Sequence, residues 1–168
     1  MRTYPRLLPL LVPAAVAAAA LAAQAGAQPP ATSTINMSYQ VTSFPPGGPR
    51  NGGGWSTSGT GVGTFSSSGA INDSGALNLR FIQGALAAPT TGLLETERDL
   101  VGSKGTITLR CSEVAKDFSD LAAVPGNGSC AVTGGTGAYA ALQGEGALTI
   151  VFDVLSGSSD DLLELKTP

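Results

Sequence analysis

Ile35, Met37, Tyr39 and Val41 alternate with Asn36, Ser38, Gln40 and Thr42, the period of a strand that buries one face. Beyond residue 30 no segment shows a convincing run of the three-to-four-residue apolar spacing that marks a helix. Instead, short alternating runs recur between turn signals spaced about 8 to 12 residues apart, which is the pattern of an antiparallel sandwich or barrel. The runs are Gly61 to Ser66, Leu77 to Ile82, Glu95 to Val101, Thr106 to Cys111, Cys130 to Thr133 and Gly146 to Leu155. Asn72-Asp73-Ser74-Gly75, Pro89 to Gly92 and Gly102-Ser103-Lys104-Gly105 separate them. The Pro- and Gly-rich stretch from Phe44 to Gly59 reads as a long loop with Trp55 in it, and Glu113 to Ser129 as an irregular crossover with a short helical turn near Asp117 to Ala123. Seven or eight strands pair neighbour to neighbour, and glycines within them, as in Gly59-Thr60-Gly61-Val62-Gly63, favour the bending that closes a sheet. The expected fold is all-β, an antiparallel barrel of about eight strands.

Residues 1–27 read as an export signal. Arg2 and Arg6 form the positive end, Leu7 to Ala23 the apolar segment, and small-x-small cleavage sites follow at Ala23-Gln24-Ala25 and Ala25-Gly26-Ala27. What remains, 28–168, is one domain in length. It carries no run of about 18 apolar residues, so no membrane span is expected. No Cys stands at the cleavage site to take a lipid, and the expected location is secreted or periplasmic. In that compartment Cys111 and Cys130 are expected to pair, and the chain contains no His to activate either as a nucleophile. The same lack excludes histidine general bases and histidine metal ligands. Residues 28–168 keep all 12 acidic side chains but lose Arg2 and Arg6 from the 9 basic ones, which argues against nucleic acid as a partner.

The most distinctive segment runs from Gly134-Gly135-Thr136-Gly137 through Ala138-Tyr139-Ala140-Ala141-Leu142 to Gln143-Gly144-Glu145-Gly146. Its glycines permit a tight strand exit and re-entry, while Tyr139 and Leu142 plug one end of the core. It lacks the Lys-Ser/Thr of a phosphate-cradling loop, which leaves a structural turn. This segment, with the preceding Gly105-Thr106-Ile107-Thr108-Leu109-Arg110 strand, resembles the Gly-Gly-Thr-Gly-x-Phe/Tyr turn of the allene oxide cyclase and dirigent barrel superfamily, as in small secreted bacterial relatives. The resemblance implies an eight-stranded barrel with a largely apolar cavity open at one end. In plant members such a cavity steers cyclisation or radical coupling by shape; no catalytic position of theirs carries over to a residue here.

Glu95, Glu97 and Asp99 fall on one face of a strand and Thr96, Arg98 and Leu100 on the other. The acidic face has two readings, a Ca²⁺ or sugar site and a solvated wall; the second is adopted because carboxylates prefer water. If Leu100 points inward then so does Arg98, which has two readings, a charge lining the barrel mouth that contacts a ligand and, the plainer one, a rim arginine in water. Tyr39, Phe65, Phe81 and Phe152 are expected to line the interior, and with Arg98 they are the candidate ligand-binding residues. Asp160, Asp161 and Glu164 read as a solvating tail. No cofactor or metal is assigned. The expected activity is non-enzymatic binding of a small hydrophobic molecule, or a structural extracellular module. The alternatives are a cyclase or isomerase of the kind the resemblance names, and a surface-interaction protein acting through Trp55.

Overall fold

The computed structural model describes residues 30–43, 54–55, 59–88 and 91–168. Residues 1–29, on which the export signal falls, lie outside that set, as does most of the 44–58 segment. Nine strands follow in order: β1 (Ala31–Ser43), β2 (Gly54–Trp55), β3 (Thr60–Gly69), β4 (Ser74–Ala88), β5 (Thr91–Gly102), β6 (Gly105–Lys116), β7 (Val124–Gly135), β8 (Glu145–Asp153) and β9 (Ser158–Thr167). Every pairing is antiparallel. β3 to β9 pair in sequence order and β1 joins β9 to β3, so eight strands close into a barrel, as the alternation and turn spacing predicted. The two-residue β2 pairs with the end of β4, matching Gly54 to Ala85 and Trp55 to Gly84.

Period two sets the interior. Ile35, Met37, Tyr39, Phe65, Leu77, Leu79, Phe81, Leu100, Ile107, Leu109, Leu148, Ile150, Leu163 and Leu165 form one buried cluster. The β3–β4, β5–β6 and β7–β8 turns gather at one end, the base, and the β6–β7 and β8–β9 connections at the other, the rim. At the base Asp73 ties three connections together. Its carboxylate accepts from Ser74 N (2.9 Å), Ser103 N (3.2 Å), Ser103 Oγ (2.9 Å), Lys104 N (3.1 Å) and the Tyr139 hydroxyl (3.0 Å). Burial pushes this carboxyl up, but the donated bonds outweigh it and hold the group well below the usual carboxylate range. The Gly134–Gly146 segment supplies the third part of this closure. Thr136 precedes a one-turn 3-10 helix, Gly137–Tyr139, and Gly137 has φ 60°, with Lys104 O only 2.4 Å from where a Cβ would stand.

Two readings of the sequence need correction. The crossover is confined to 117–123, without a helix, because β6 continues to Lys116 and β7 starts at Val124. Pro125, Gly126 and Gly128 have the composition of a loop, yet Gly128 is a strand residue at a close approach, where a Cβ would lie 2.2 Å from Ser112 O. The expected acidic tail is strand β9, the staple that completes the barrel, and only Asp160 and Glu164 face water; Asp161 is buried. Ser159, Asp161, Leu163 and Leu165 point inward, a pattern blurred in the sequence by the adjacent leucines Leu162 and Leu163.

Candidate functional site

β5 turns Thr96, Arg98 and Leu100 into the barrel, all fully buried, and the 0% exposure of Arg98 rules out an arginine in water at the rim. A guanidinium inside a barrel needs acceptors from facing strands. Arg98 Nη2 donates to Glu113 Oε1 of β6 at 2.5 Å and Nη1 to Asp161 Oδ2 of β9 at 2.5 Å. Arg98 Nε donates to Thr96 Oγ1 at 3.3 Å, and Thr96 in turn donates to Glu113 Oε1 at 2.6 Å. Ser159 donates to Asp161 Oδ1, Met37 Sδ lies 3.6 Å from Arg98 Nη1, and the Tyr39 ring centroid stands 5.5 Å from the guanidinium carbon.

One positive charge meets two carboxylates in this cluster. Burial works against the Arg98 charge, but Glu113 and Asp161 outweigh it and keep the guanidinium protonated. At Asp161 burial wins over Arg98 and Ser159 and raises the carboxyl above its ordinary range. Burial and the nearby Asp161 likewise push the Tyr39 phenol up.

The raised Asp161 value fixes a sign. Between the ordinary carboxylate value and the raised one, the folded protein holds a proton that the unfolded chain has released, so stability falls as pH rises through that window. Asp161→Asn is expected to flatten that slope in urea midpoints measured against pH. An undiminished slope in the variant would assign it to another group.

The candidate ligand residues do not all meet. Tyr39 and Arg98 are in contact, Phe81 lies opposite Thr96 in the β4–β5 register, Phe65 is buried toward the base beside Gly75, and Phe152 is half-buried near the rim. Glu113, Ser159 and Asp161 were missed as site residues. Carrying the alternation two residues beyond Cys111 reaches Glu113, and carrying it back from Leu165 reaches Asp161 and Ser159. On the outer wall, Glu95 accepts from Arg110 at 2.9 Å, Glu97 pairs with Arg80, and Asp99 accepts from Thr108 at 2.7 Å. Among the described residues no group of His, Cys, Asp and Glu is arranged to hold a metal ion.

Side-chain volume is unequal on the two sides of the cluster. Toward the base the interior holds Ile35, Leu77, Leu100, Ile107, Leu109, Leu163 and Leu165. Toward the rim the inward positions include Gly61, Gly84, Gly92, Ala115 and Gly126 beside buried Phe81, Val124 and Ile150, edged by half-buried Val41, Leu94 and Phe152. A groove of about 410 Å³ opens at this rim, lined by Val41, Phe152, Val154 and Leu155 with Thr42, Ser43, Ser156 and Gly157. A separate depression of about 450 Å³ lies on the outer wall of β3, β1, β9 and β8, among outward-facing Asn36, Ser38, Thr64, Ser66, Thr149, Val151, Asp160 and Leu162.

Fold and site together define a closed antiparallel barrel, bridged by one disulfide between Cys111 and Cys130, with an ion cluster in its interior. Comparison with protein-family models, curated proteins and solved structures gave no match to this chain. Among the described residues no helix is long and apolar enough to cross a membrane.

Proposed function

We propose that this chain is an exported barrel that binds one small hydrophobic molecule in its rim-side half, with the molecule's polar end toward the Arg98 cluster. The unequal filling of the two halves carries this reading. An eight-stranded barrel is just wide enough to be filled by its own side chains or to hold one small ligand. Here Gly61, Gly84, Gly92, Ala115 and Gly126 take up inward positions of the rim side, beside Val124 and Ile150, while leucines and isoleucines dominate toward the base. Apolar walls with a few convergent polar groups are the usual composition of such a site. The leader pattern at 1–27 and the Cys111–Cys130 bridge support an exported location, secreted or periplasmic.

A polarity-sensitive dye titrated into the purified protein is expected to bind saturably, about one per chain on the single-site expectation. Ala115→Phe, which fills the rim-side interior, is expected to weaken that binding about tenfold or more, the 1.4 kcal/mol scale of one lost apolar contact. Lack of saturable binding to the wild-type protein would leave the structural-module reading. N-terminal sequencing of exported material is expected to begin at Gly26 or Gln28.

A second reading, a cyclase or isomerase of the allene oxide cyclase and dirigent type, is favoured by one observation. The inward face around Arg98 is polar, with Thr96, Glu113, Ser159 and Asp161 where a purely passive apolar cup has no need of them. Mass spectrometry of the bound molecule before and after prolonged incubation separates the two readings: an unchanged mass and chromatographic position supports binding alone.

A further inference from the structure

The polar cluster has a direction. Each of the three guanidinium nitrogens of Arg98 already donates within the barrel, to Thr96, Asp161 and Glu113, and the three ion-pair side chains are 0%, 0% and 2% exposed. An incoming carboxylate finds this guanidinium occupied on both of its forked arms, and reaches it only by displacing Glu113 or Asp161.

Glu113 is bound on one side only. Its Oε1 accepts from both Thr96 and Arg98, while Oε2 has no hydrogen-bond partner among the described residues. A buried acceptor left open carries a desolvation penalty that a donor would relieve. Glu113 is also the member of the cluster on the rim side of β6: the next inward residues are Cys111 toward the base and Ala115 toward the rim. The titratable side chains that face one another here come from four strands, Tyr39 of β1, Arg98 of β5, Glu113 of β6 and Asp161 of β9. Ionised, Glu113 and Asp161 leave the cluster with a net charge of about −1.

We infer that the site prefers a hydrophobic molecule ending in a protonated amine over one ending in a carboxylate, with the ammonium donating to Glu113 and cancelling the excess negative charge. This rests on the reading that the rim-side half takes a ligand. An ammonium supplies the missing donor and the missing charge together; an alcohol supplies only the donor, and a carboxylate supplies neither and adds a like charge to a site shielded from water.

Three probes of one chain length test the inference: decylammonium, decanol and decanoate, each titrated calorimetrically into the wild-type protein at neutral pH below its aggregation threshold. Decylammonium is expected to bind about tenfold or more tightly than decanoate, with decanol between them. Glu113→Gln, which keeps the shape and removes the charge, is expected to bring decylammonium down toward decanol. Equal affinities for all three probes, or tighter binding of decanoate, would overturn the amine preference and leave the ligand-binding reading standing. Failure of all three to bind would overturn both. Should Glu113→Gln not fold, the ranking of the three probes on the wild-type protein decides alone.

Discussion

Arg98→Met is expected to cost about 3 to 5 kcal/mol of folding stability at neutral pH, the range found when one partner of a buried ion cluster is removed and the others are left uncompensated. Methionine fills nearly the same volume, so the loss is electrostatic rather than a packing defect. Glu113 and Asp161 would then face each other across the barrel without their shared cation. Two further measurements identify the cause. Acidification should restore part of the lost stability by protonating the stranded carboxyls, and Arg98→Met combined with Glu113→Gln and Asp161→Asn should recover most of it. Guanidinium chloride unfolding reads all of these; a loss below about 1 kcal/mol in Arg98→Met would show that water reaches the carboxylates despite their burial.

Removing the bridge, with Cys111→Ala and Cys130→Ala together, is expected to cost roughly 3 kcal/mol by the chain-entropy account of a loop this long. The two cysteines are directly opposed in the β6–β7 register, 19 residues apart in sequence, and both are buried inside the barrel. Their link therefore holds the ends of the 117–123 connection to one alignment, at a register shift between Thr108 and Leu109 that loosens the same strand pair nearer the base. The unfolding midpoint of the wild-type protein with and without reductant gives an independent measure. A difference under about 1 kcal/mol would mean that strand pairing alone fixes this register.

The barrel was legible because its strands obey period two wherever one face is buried and the other wet. β1 shows it most plainly, with Ile35, Met37 and Tyr39 against Asn36, Ser38 and Gln40. Where the signal failed, a physical conflict explains the failure. In β7 glycines are required by close backbone approach, and they carry the same composition as a loop. In β9 a buried carboxylate interrupts the apolar side of the alternation, and an acidic residue read alone points to solvent. The inward direction of Arg98 followed from Leu100 two residues on, but its partners did not. Glu113 and Asp161 stand 15 and 63 residues away along the chain, and only the closed barrel brings them to one guanidinium.

The strand that closes the barrel is also the one that delivers Asp161. β9 joins β1 across the whole length of the fold, with Thr167 Oγ1 donating to Ala31 O over a separation of 136 residues. Loop closure over such a distance is entropically unfavourable until many other contacts are in place, which makes it a late and slow event. A chain made from its N-terminus leaves β1 with one open edge, and Arg98 with one carboxylate partner too few, until its last strand is available. A chain lacking β9 would therefore have neither a closed wall nor the second carboxylate beside its buried guanidinium.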